Sequence, residues 1–279
     1  MQKGAAGPWV ISMPRTVTDG EAYVPEPNGY RKLLVGSGVP FNRHAESYVL
    51  VGITIDRTAA STGRPVYLHL TYHADAPLWV RADTLGNRMS ASFLYRLIDG
   101  LFFGILLAVG LCNLYVALAV RDRSAAWFVG YVGALVANEL VSTGLGSAYL
   151  WPGIGFDFRW PSVVTELLAF GTFLGFTRTF LQTRTAAPSW DRLLIAAFLV
   201  VAFSEIARHA LYGGERFAAG VVLVQFASMI VTIGAGIARM RAGYHPARFF
   251  VAAFVPALAG ITANPVSYTH LTLPTILRV

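Results

Sequence analysis

The sequence predicts a mixed fold, in which an all-β segment over residues 1–96 precedes a bundle of membrane-spanning helices over residues 97–266. The composition is that of a membrane protein: 55% of the residues are hydrophobic and 13% charged, with a mean hydropathy of +0.53. Soluble domains carry about 25% charged residues. The second segment contains long apolar stretches, whereas the first contains short β-rich runs separated by Pro, Gly, Asn and Asp.

Four β-rich runs carry the prediction for the first segment: Tyr30–Val35, Ser47–Ile55, Val66–Tyr72 and Pro77–Arg81. Apolar and polar side chains alternate in the third run, and Ile53 and Ile55 belong to the aliphatic face of the second. A period of two is typical of half-buried antiparallel strands. The runs therefore predict an all-β sandwich or part of one, and we expect the domain to be truncated at its start.

Five side chains of the β segment are candidate ligand contacts: Tyr67, His69, Tyr72, His73 and Trp79. Aromatic rings offer stacking surfaces to a ligand, but they are equally common in a core, and both interpretations stay open. His69 and His73 share one strand face, and His44 lies earlier in the chain. Because no Cys or carboxylate completes a ligand set, we expect surface or sugar-contacting histidines and no metal site.

The first membrane span is predicted at Leu97–Val120. Apart from one acidic residue it is uncharged, and a bilayer core takes about 20 apolar residues to cross. Gly100 and Gly104 form a small-residue pair that allows a neighbouring helix to approach closely. The basic sequence at 121–123 follows directly, and since Lys and Arg collect on the cytoplasmic side, residues 1–96 are predicted to lie outside the cell membrane.

Five more spans are predicted after the first, at residues 125–146, 161–181, 193–211, 217–238 and 248–266. The connections predicted inside carry more arginine than those predicted outside, which agrees with this orientation. The net charge of +7 is then explained by arginines beside the spans. No single basic patch points to a nucleic-acid partner.

Five polar side chains inside the predicted spans are candidate functional residues: Asn113, Glu139, Glu166, Glu205 and Arg208. Such residues are costly in a bilayer and are functional candidates by default. Glu205 and Arg208 are three residues apart, so we expect them to pair along one helical face. For Glu139 a functional and a structural role stay equally open, whereas for the others we favour hydrogen bonding between helices.

The sequence contains no catalytic arrangement. It has no phosphate-binding loop with a lysine, no cluster of metal ligands, and no nucleophile beside a base. The glycine-rich run GLGSAYLWPGIG lies between two predicted spans and lacks that lysine. We therefore predict no enzyme activity and no cofactor.

The order of these parts resembles a known family. The run GLFFGILLAVGLCNLYVALAVRDRSAAWFVGYV, the loop GLGSAYLWP and the segment FTRTFLQTRTAAPSWDRLL are similar to the bacterial seven-transmembrane receptors with diverse intracellular signalling modules. The N-terminal runs YRKLLVGSGVPFNRHAESYVLVGITI and GRPVYLHLTYHADAPLWVRAD resemble the end of that family's second type of extracellular sensory domain, a jelly-roll-like sandwich. The resemblance covers residues 28–266.

The resemblance implies a signalling receptor of the bacterial inner membrane, with six of seven spans present. Its outer domain would bind a carbohydrate or another small molecule, and a cytoplasmic output module, commonly a histidine kinase or a diguanylate cyclase, would follow the seventh span. The expected partners are the lipid bilayer, this ligand and a second copy of the chain, with no nucleic acid. Residues 267–279 resemble a translated sequencing adapter, so we expect them to be foreign.

Two other functions remain open. One is a small-solute or proton transporter that uses Glu139, Glu166 and Glu205, although no inverted repeat or paired broken helices are visible in the sequence. The other is a membrane-anchored carbohydrate-binding scaffold without signalling.

Overall fold

The computed structural model describes residues 8–14, 17–43, 52–56, 59, 63–72, 78–155, 159–210 and 215–254. Its N-terminal part consists of six strands, which form two antiparallel sheets of three strands each, ordered β4-β1-β6 and β3-β2-β5. The strands are β1 Trp9–Ser12, β2 Val17–Glu26, β3 Gly29–Val35, β4 Gly52–Ile55, β5 Tyr67–Tyr72 and β6 Arg81–Thr84.

The two sheets share one hydrophobic core. Its buried members come from both sheets and their connections: Met13, Val17, Ala22, Val24, Val35, Ile53, Ile55 and Ala59. Leu68 and Leu70 of β5 pack against them, while the alternating Tyr67 and His69 are exposed. The alternation predicted for this strand and the aliphatic face predicted for Ile53 and Ile55 are therefore confirmed.

Of the four predicted strands, two are confirmed, one lies mostly outside the described residues and one is misplaced. The runs Tyr30–Val35 and Val66–Tyr72 are confirmed as β3 and β5 to within one residue. Only the end of Ser47–Ile55 lies in the described residues, as β4. The position predicted at Pro77–Arg81 is wrong, because β6 starts at Arg81, where pairing with β1 begins. The sequence did not predict β1, which is short, or β2, which contains Asp, Gly and Pro.

The helices follow the sheets without interruption. They are α1 Leu85–Ala119, α2 Arg123–Thr143, a π-helical turn Gly146–Leu150, α3 Arg159–Phe180, α4 Thr183–Ala186, α5 Pro188–Ala210, α6 Glu215–Arg241 and α7, residues 247–254. The contacts run from α1 to α2, α2 to α3, α3 to α5 and α5 to α6. We call the end of the bundle that carries residues 144–155 β-proximal and the opposite end, with residues 120–122 and 181–187, β-distal.

Four helices are long and apolar enough to cross a membrane: Arg96–Ala119, Arg123–Thr143, Pro188–Ala210 and Gly220–Arg241. They correspond to the first, second, fourth and fifth predicted spans. The third, 161–181, forms the 22-residue helix α3 but is not among the four, because it carries Glu166, Arg178 and four threonines. The sixth, 248–266, is helical up to residue 254, and its remainder lies outside the described residues.

Helix α1 grows directly out of β6. Thr84 caps it by accepting a hydrogen bond from the Asn87 backbone N–H at 3.5 Å, and the Leu85 N–H donates to the Pro8 carbonyl at 3.1 Å. With 35 residues the helix is about 52 Å long, whereas a bilayer core is about 30 Å thick. Residues 87–96, predicted as the junction to the first span, are thus part of one continuous helix.

An ion pair fixes the β-distal end of the bundle. Arg178 at the end of α3 donates through Nε and Nη2 to both carboxylate oxygens of Asp191 at the start of α5, each at 2.8 Å. Thr183 of α4 donates to the same carboxylate at 2.7 Å. Arg239 of α6 donates to the Leu181 carbonyl at 2.7 Å. Four helices are joined within one polar cluster.

Candidate functional site

The exposed face of the sheet β3-β2-β5 presents aromatic and charged side chains. Its aromatic and charged members are Glu21, Tyr23, Tyr30, Lys32, Tyr67 and His69, and the strand register adds the exposed Leu34 opposite Glu21. Tyr67 is 56% exposed, and its ring lies 5.6 Å from that of Tyr30, inclined by 56°. Two tilted rings beside charged groups form a surface on which a sugar ring can stack and hydrogen-bond.

Glu21 organises the polar part of this face. It accepts a hydrogen bond from the Tyr23 hydroxyl at 2.6 Å and pairs with the Lys32 ammonium, also at 2.6 Å. The Lys32 hydrogen bond is the main reason why the pKa of the Glu21 carboxyl lies below its ordinary value. His69 lies directly opposite Glu21 in the register, so a carboxylate, an ammonium and an imidazole are neighbours.

The predicted ligand contacts do not all belong to this face. Tyr67 and His69 lie on it together, and Tyr72 is the last residue of β5. Trp79 is 43% exposed and lies in the connection before β6, so it is on neither sheet. His73 and His44 lie outside the described residues. Within the described ranges no three His, Cys, Asp or Glu side chains are grouped to hold a metal ion.

A polar cluster lies between the helices. Glu205 of α5 is only 1% exposed and is paired with Arg208 at 2.9 Å, which confirms the predicted ion pair. Gln225 of α6 donates from its side-chain amide to Glu205 at 2.9 Å and to Glu166 of α3 at 3.3 Å. His209 Nδ1 lies 2.9 Å from the Glu205 carbonyl oxygen. Three helices are therefore joined through one glutamine.

Beside this cluster lies a cavity of about 890 Å³. It is bounded by α2, α3, α5, α6 and α7, and ten of its lining residues are phenylalanine. Asn138, Glu166 and Gln225 line it as well. The cavity volume is in the range of small-molecule sites, and its lining combines an apolar body with a few polar groups.

Asn113 and Glu139 are not part of this cluster. The Asn113 amide donates to the Val109 carbonyl of its own helix at 2.9 Å. Glu139 is half-buried and does not line the cavity. The structure therefore brings Glu166, Glu205 and Arg208 together and leaves the other two predicted polar residues apart.

Sequence reasoning missed the residues that connect the helices. Gln225 bridges two carboxylates, and Asn138 accepts a hydrogen bond from the Thr165 hydroxyl at 2.9 Å, which joins α2 to α3. Neutral polar residues are common in membrane helices. The one signal in the sequence was the position of Gln225 in a long apolar stretch, where an amide needs a partner.

The β sheets also contact the helical part at a second place, apart from their junction with α1. This contact lies at the β-proximal end of the bundle. The short 3₁₀ turn Phe41–Arg43 lies against the segment after α2, and the Asn42 N–H donates to the Pro152 carbonyl at 3.1 Å. Gly155 packs on the backbone of Gly38 and Pro40 so closely that a Cβ would clash with it.

Comparison with known proteins identifies the helical part. The family model described as 7TM diverse intracellular signalling matches residues 95–278, from the middle of α1 onward. This description is that of a sensory transmembrane domain and not of a catalytic one. Neither the curated proteins nor the solved structures gave a match. With four apolar helices of membrane-spanning length and this match over most of its length, the chain is a multi-pass membrane protein that belongs to the seven-transmembrane family with diverse intracellular signalling.

Proposed function

We propose that this chain is the sensor and transmembrane part of a signalling receptor, in which a ligand bound to the β sheets changes the arrangement of the helices. The observation that carries the proposal is that the β sheets contact the helical part in two places. One is the uninterrupted passage from β6 into α1. The other is the contact of Asn42 with Pro152. A ligand shifts such a system only if it prefers one arrangement over the other.

The proposed ligand is a carbohydrate or another small polar molecule. Its support is the exposed face, in which the Tyr67 ring is tilted against that of Tyr30 and the Glu21–Lys32 pair lies beside His69. Aromatic rings cover the apolar faces of a sugar, and charged groups hydrogen-bond its hydroxyls. We include in the proposed site Tyr72, which ends β5, His73, which is next in the sequence, and Trp79, which lies in the connection before β6.

The proposed arrangement in the membrane follows the sequence prediction. Residues 1–96 form a jelly-roll-like sensory domain on the periplasmic or extracellular side of a bacterial inner membrane, and residues 97–266 contribute six of seven spans. The arginines at the β-distal end, among them Arg121, Arg184 and Arg241, support this orientation. A Cβ added to Gly100 or Gly104 would meet no atom of the described residues within 4 Å, which supports a homodimer through α1.

The transporter hypothesis has weaker support. Of its three carboxylates, Glu205 is neutralised by Arg208 and Glu139 does not line the cavity. A proton or solute path would require ionisable groups in sequence across the bundle, and among the described residues only Glu166 lines the cavity as a carboxylate.

The experiment that tests the coupling uses Cys112, the single cysteine of the chain, which is exposed on α1. An environment-sensitive fluorophore on Cys112 reports the surroundings of α1 in nanodiscs. Gly155→Ala should separate the β sheets from the loop and change the emission. Gly153→Ala is the matched control, because its new methyl group would only touch the Asn42 amide at 3.9 Å. Equal emission from both variants and the parent chain would contradict the coupling.

A second experiment addresses the output module. Long-read sequencing of the gene across the codon of Asn264 should reveal a seventh span followed by a kinase or cyclase. The family match runs through most of residues 267–279, whose foreign origin remains a proposal. An uninterrupted frame through that segment to a natural stop would refute both the foreign origin and the missing module.

A further inference from the structure

The carboxylates of Glu166 and Glu205 differ in the hydrogen bonds and ion pairs that they form. Glu205 accepts hydrogen bonds from both Nε and Nη2 of Arg208, at 3.3 and 2.9 Å, and one from Gln225. Glu166 accepts one hydrogen bond, from the same glutamine at 3.3 Å, and in the described part of the chain no cation forms an ion pair with it. A carboxylate offers about four acceptor positions, so most of those on Glu166 have no partner among the described residues.

Those positions belong to the cavity. Glu166 and Gln225 line it, whereas Glu205 and Arg208 do not. The pair Glu205–Arg208 has no net charge, so Glu166, when ionised, gives the border of the cavity a net negative charge. A charge of this kind in an apolar setting is costly unless it is paired.

The remainder of the cavity is aromatic. Phe170 and Phe173 lie one and two helical turns beyond Glu166 on α3, on the same face, and both line the cavity together with Phe226 of α6. From Glu166 to Phe180 the lining extends about 21 Å along the helix axis. The faces of aromatic rings attract cations, and aromatic cages bind quaternary ammonium groups.

We propose that this cavity binds an organic cation with a large apolar body, whose positive charge lies at Glu166 and whose apolar part lies between the phenylalanines. A neutral apolar molecule would leave the carboxylate unpaired, and an anion would be repelled by it. The site lies between α2, α3, α5, α6 and α7 and is separate from the sugar-binding face proposed for the β sheets. The receptor could thus respond to two chemically different ligands.

The test is equilibrium binding of radiolabelled tetraphenylphosphonium to the full chain in phosphatidylcholine nanodiscs, with empty nanodiscs as the blank. Tetraphenylborate has nearly the same size and shape but the opposite charge. We expect saturable binding of the cation and no saturable binding of the anion. Binding of the cation no greater than to empty nanodiscs, or equal binding of both ions, would overturn the proposal.

Three variants locate the site. Glu166→Gln keeps the size and the hydrogen bond but removes the charge, so the affinity should fall by about tenfold or more. Glu139→Gln removes another carboxylate of the helices that does not line the cavity, and it should bind like the parent chain. Ala197→Trp fills the cavity from α5 without changing any charge, and it should abolish binding.

Each variant also gives an outcome that would refute the site. Parent-like affinity in Glu166→Gln would exclude the carboxylate, and parent-like affinity in Ala197→Trp would place the cation elsewhere. An equal loss in Glu139→Gln would mean that only the total charge matters. Size-exclusion chromatography and helicity by circular dichroism show that each variant is folded before binding is measured.

Discussion

Helices α1 and α3 differ in how far their residues are buried by the rest of the described chain. None of the residues in the most apolar stretch of α1 is buried by the described part of the chain. Helix α3 is not among the four apolar candidate spans, yet Val163, Ala169 and Thr177 are buried in it, and it contacts both α2 and α5. In a bilayer, a helix that faces lipid has to be apolar all round, whereas one that faces protein can carry polar groups that find partners.

The space around the glycines of the two helices differs in the same way. In α3, a Cβ at Gly175 would collide with the Trp127 ring of α2, so the absence of a side chain allows the two helices to approach. In α1, no atom of the described residues lies within 4 Å of a Cβ at Gly100 or Gly104. High hydropathy therefore marks the helix that the described chain covers least, and close packing marks the central one.

The largest effect should come from the anchor of α3 at the β-distal end. Asp191→Ala leaves the Arg178 guanidinium and the Thr183 hydroxyl without their acceptor. We expect the free energy of unfolding to fall by about 3 kcal/mol, since removing one partner of a mostly buried pair leaves the other charge uncompensated. The free energy of unfolding is measured by unfolding the protein in mixed micelles of increasing SDS fraction.

The double variant Arg178→Met/Asp191→Leu is the control for this prediction. It replaces the pair, whose aspartate side chain is 10% exposed, by apolar groups of similar size. It should be more stable than Asp191→Ala, because no unpaired charge remains. A single variant as stable as the parent chain would show that α3 is not anchored here.

The same glycine-to-alanine change in α3 and α1 should give opposite results. Gly175→Ala should lower the free energy of unfolding by about 1–3 kcal/mol through overpacking against Trp127. Gly100→Ala should leave it unchanged or raise it by up to about 1 kcal/mol, because alanine is the better helix former. SDS unfolding of both variants provides the measurement, and equal destabilisation would mean that α1 is packed as closely as α3.

The connection between α1 and α2 offers a smaller effect that depends on pH. Asp122 caps α2 by accepting hydrogen bonds from the Ser124 hydroxyl at 2.6 Å and from the Ser124 N–H at 2.9 Å. The Ser124 hydroxyl is the main reason why the pKa of the Asp122 carboxyl lies below its ordinary value. Asp122→Ala should cost about 1 kcal/mol at neutral pH.

The sign of the pH dependence follows from the lowered pKa. The contribution of Asp122 is fully present above the pKa of the unfolded chain, about 4, and is lost as the pH falls through the lower pKa of the folded chain. The stability difference between the parent chain and Asp122→Ala should therefore shrink on acidification below about pH 4. A difference that grows there would contradict the cap.

The part of the fold that follows from one-dimensional periodicity was predictable, and the part that depends on pairing was not. The apolar stretch of α1 and the alternation in β5 are visible in the sequence, because each repeats along a single element. The strand β2 was missed because its Gly20 and Pro25 resemble turn residues, although both are paired within a sheet. Its position is set by the hairpin with β3, which follows directly, and by pairing with β5, which is distant in the sequence.

The residues of the candidate site were likewise predictable within one element and unpredictable across elements. The pair Glu205–Arg208 was predictable because its members lie three residues apart on one helix. The bridge through Gln225 was not, since its partner Glu166 is 59 residues away and helix packing alone brings them together. Tyr67 and His69 were predicted, but their neighbour Glu21 on β2 depends on a strand that the sequence did not reveal.

The smallest effect compares two asparagines, one on α1 and one that contacts α3. Asn138→Ala removes the interhelical acceptor of the Thr165 hydroxyl, which keeps the Pro161 and Ser162 carbonyls of its own helix at 3.0 Å. The change should cost about 0.6 kcal/mol, the average for hydrogen bonds between membrane helices. Asn113→Ala removes only a bond to the Val109 carbonyl of its own helix, where the carbonyl already has a helical partner, so we expect almost no change. SDS unfolding of the two variants in parallel compares the two losses of unfolding free energy. If Asn113→Ala were the more costly change, a segment outside the described residues, from this chain or from a second copy, would have to cover α1.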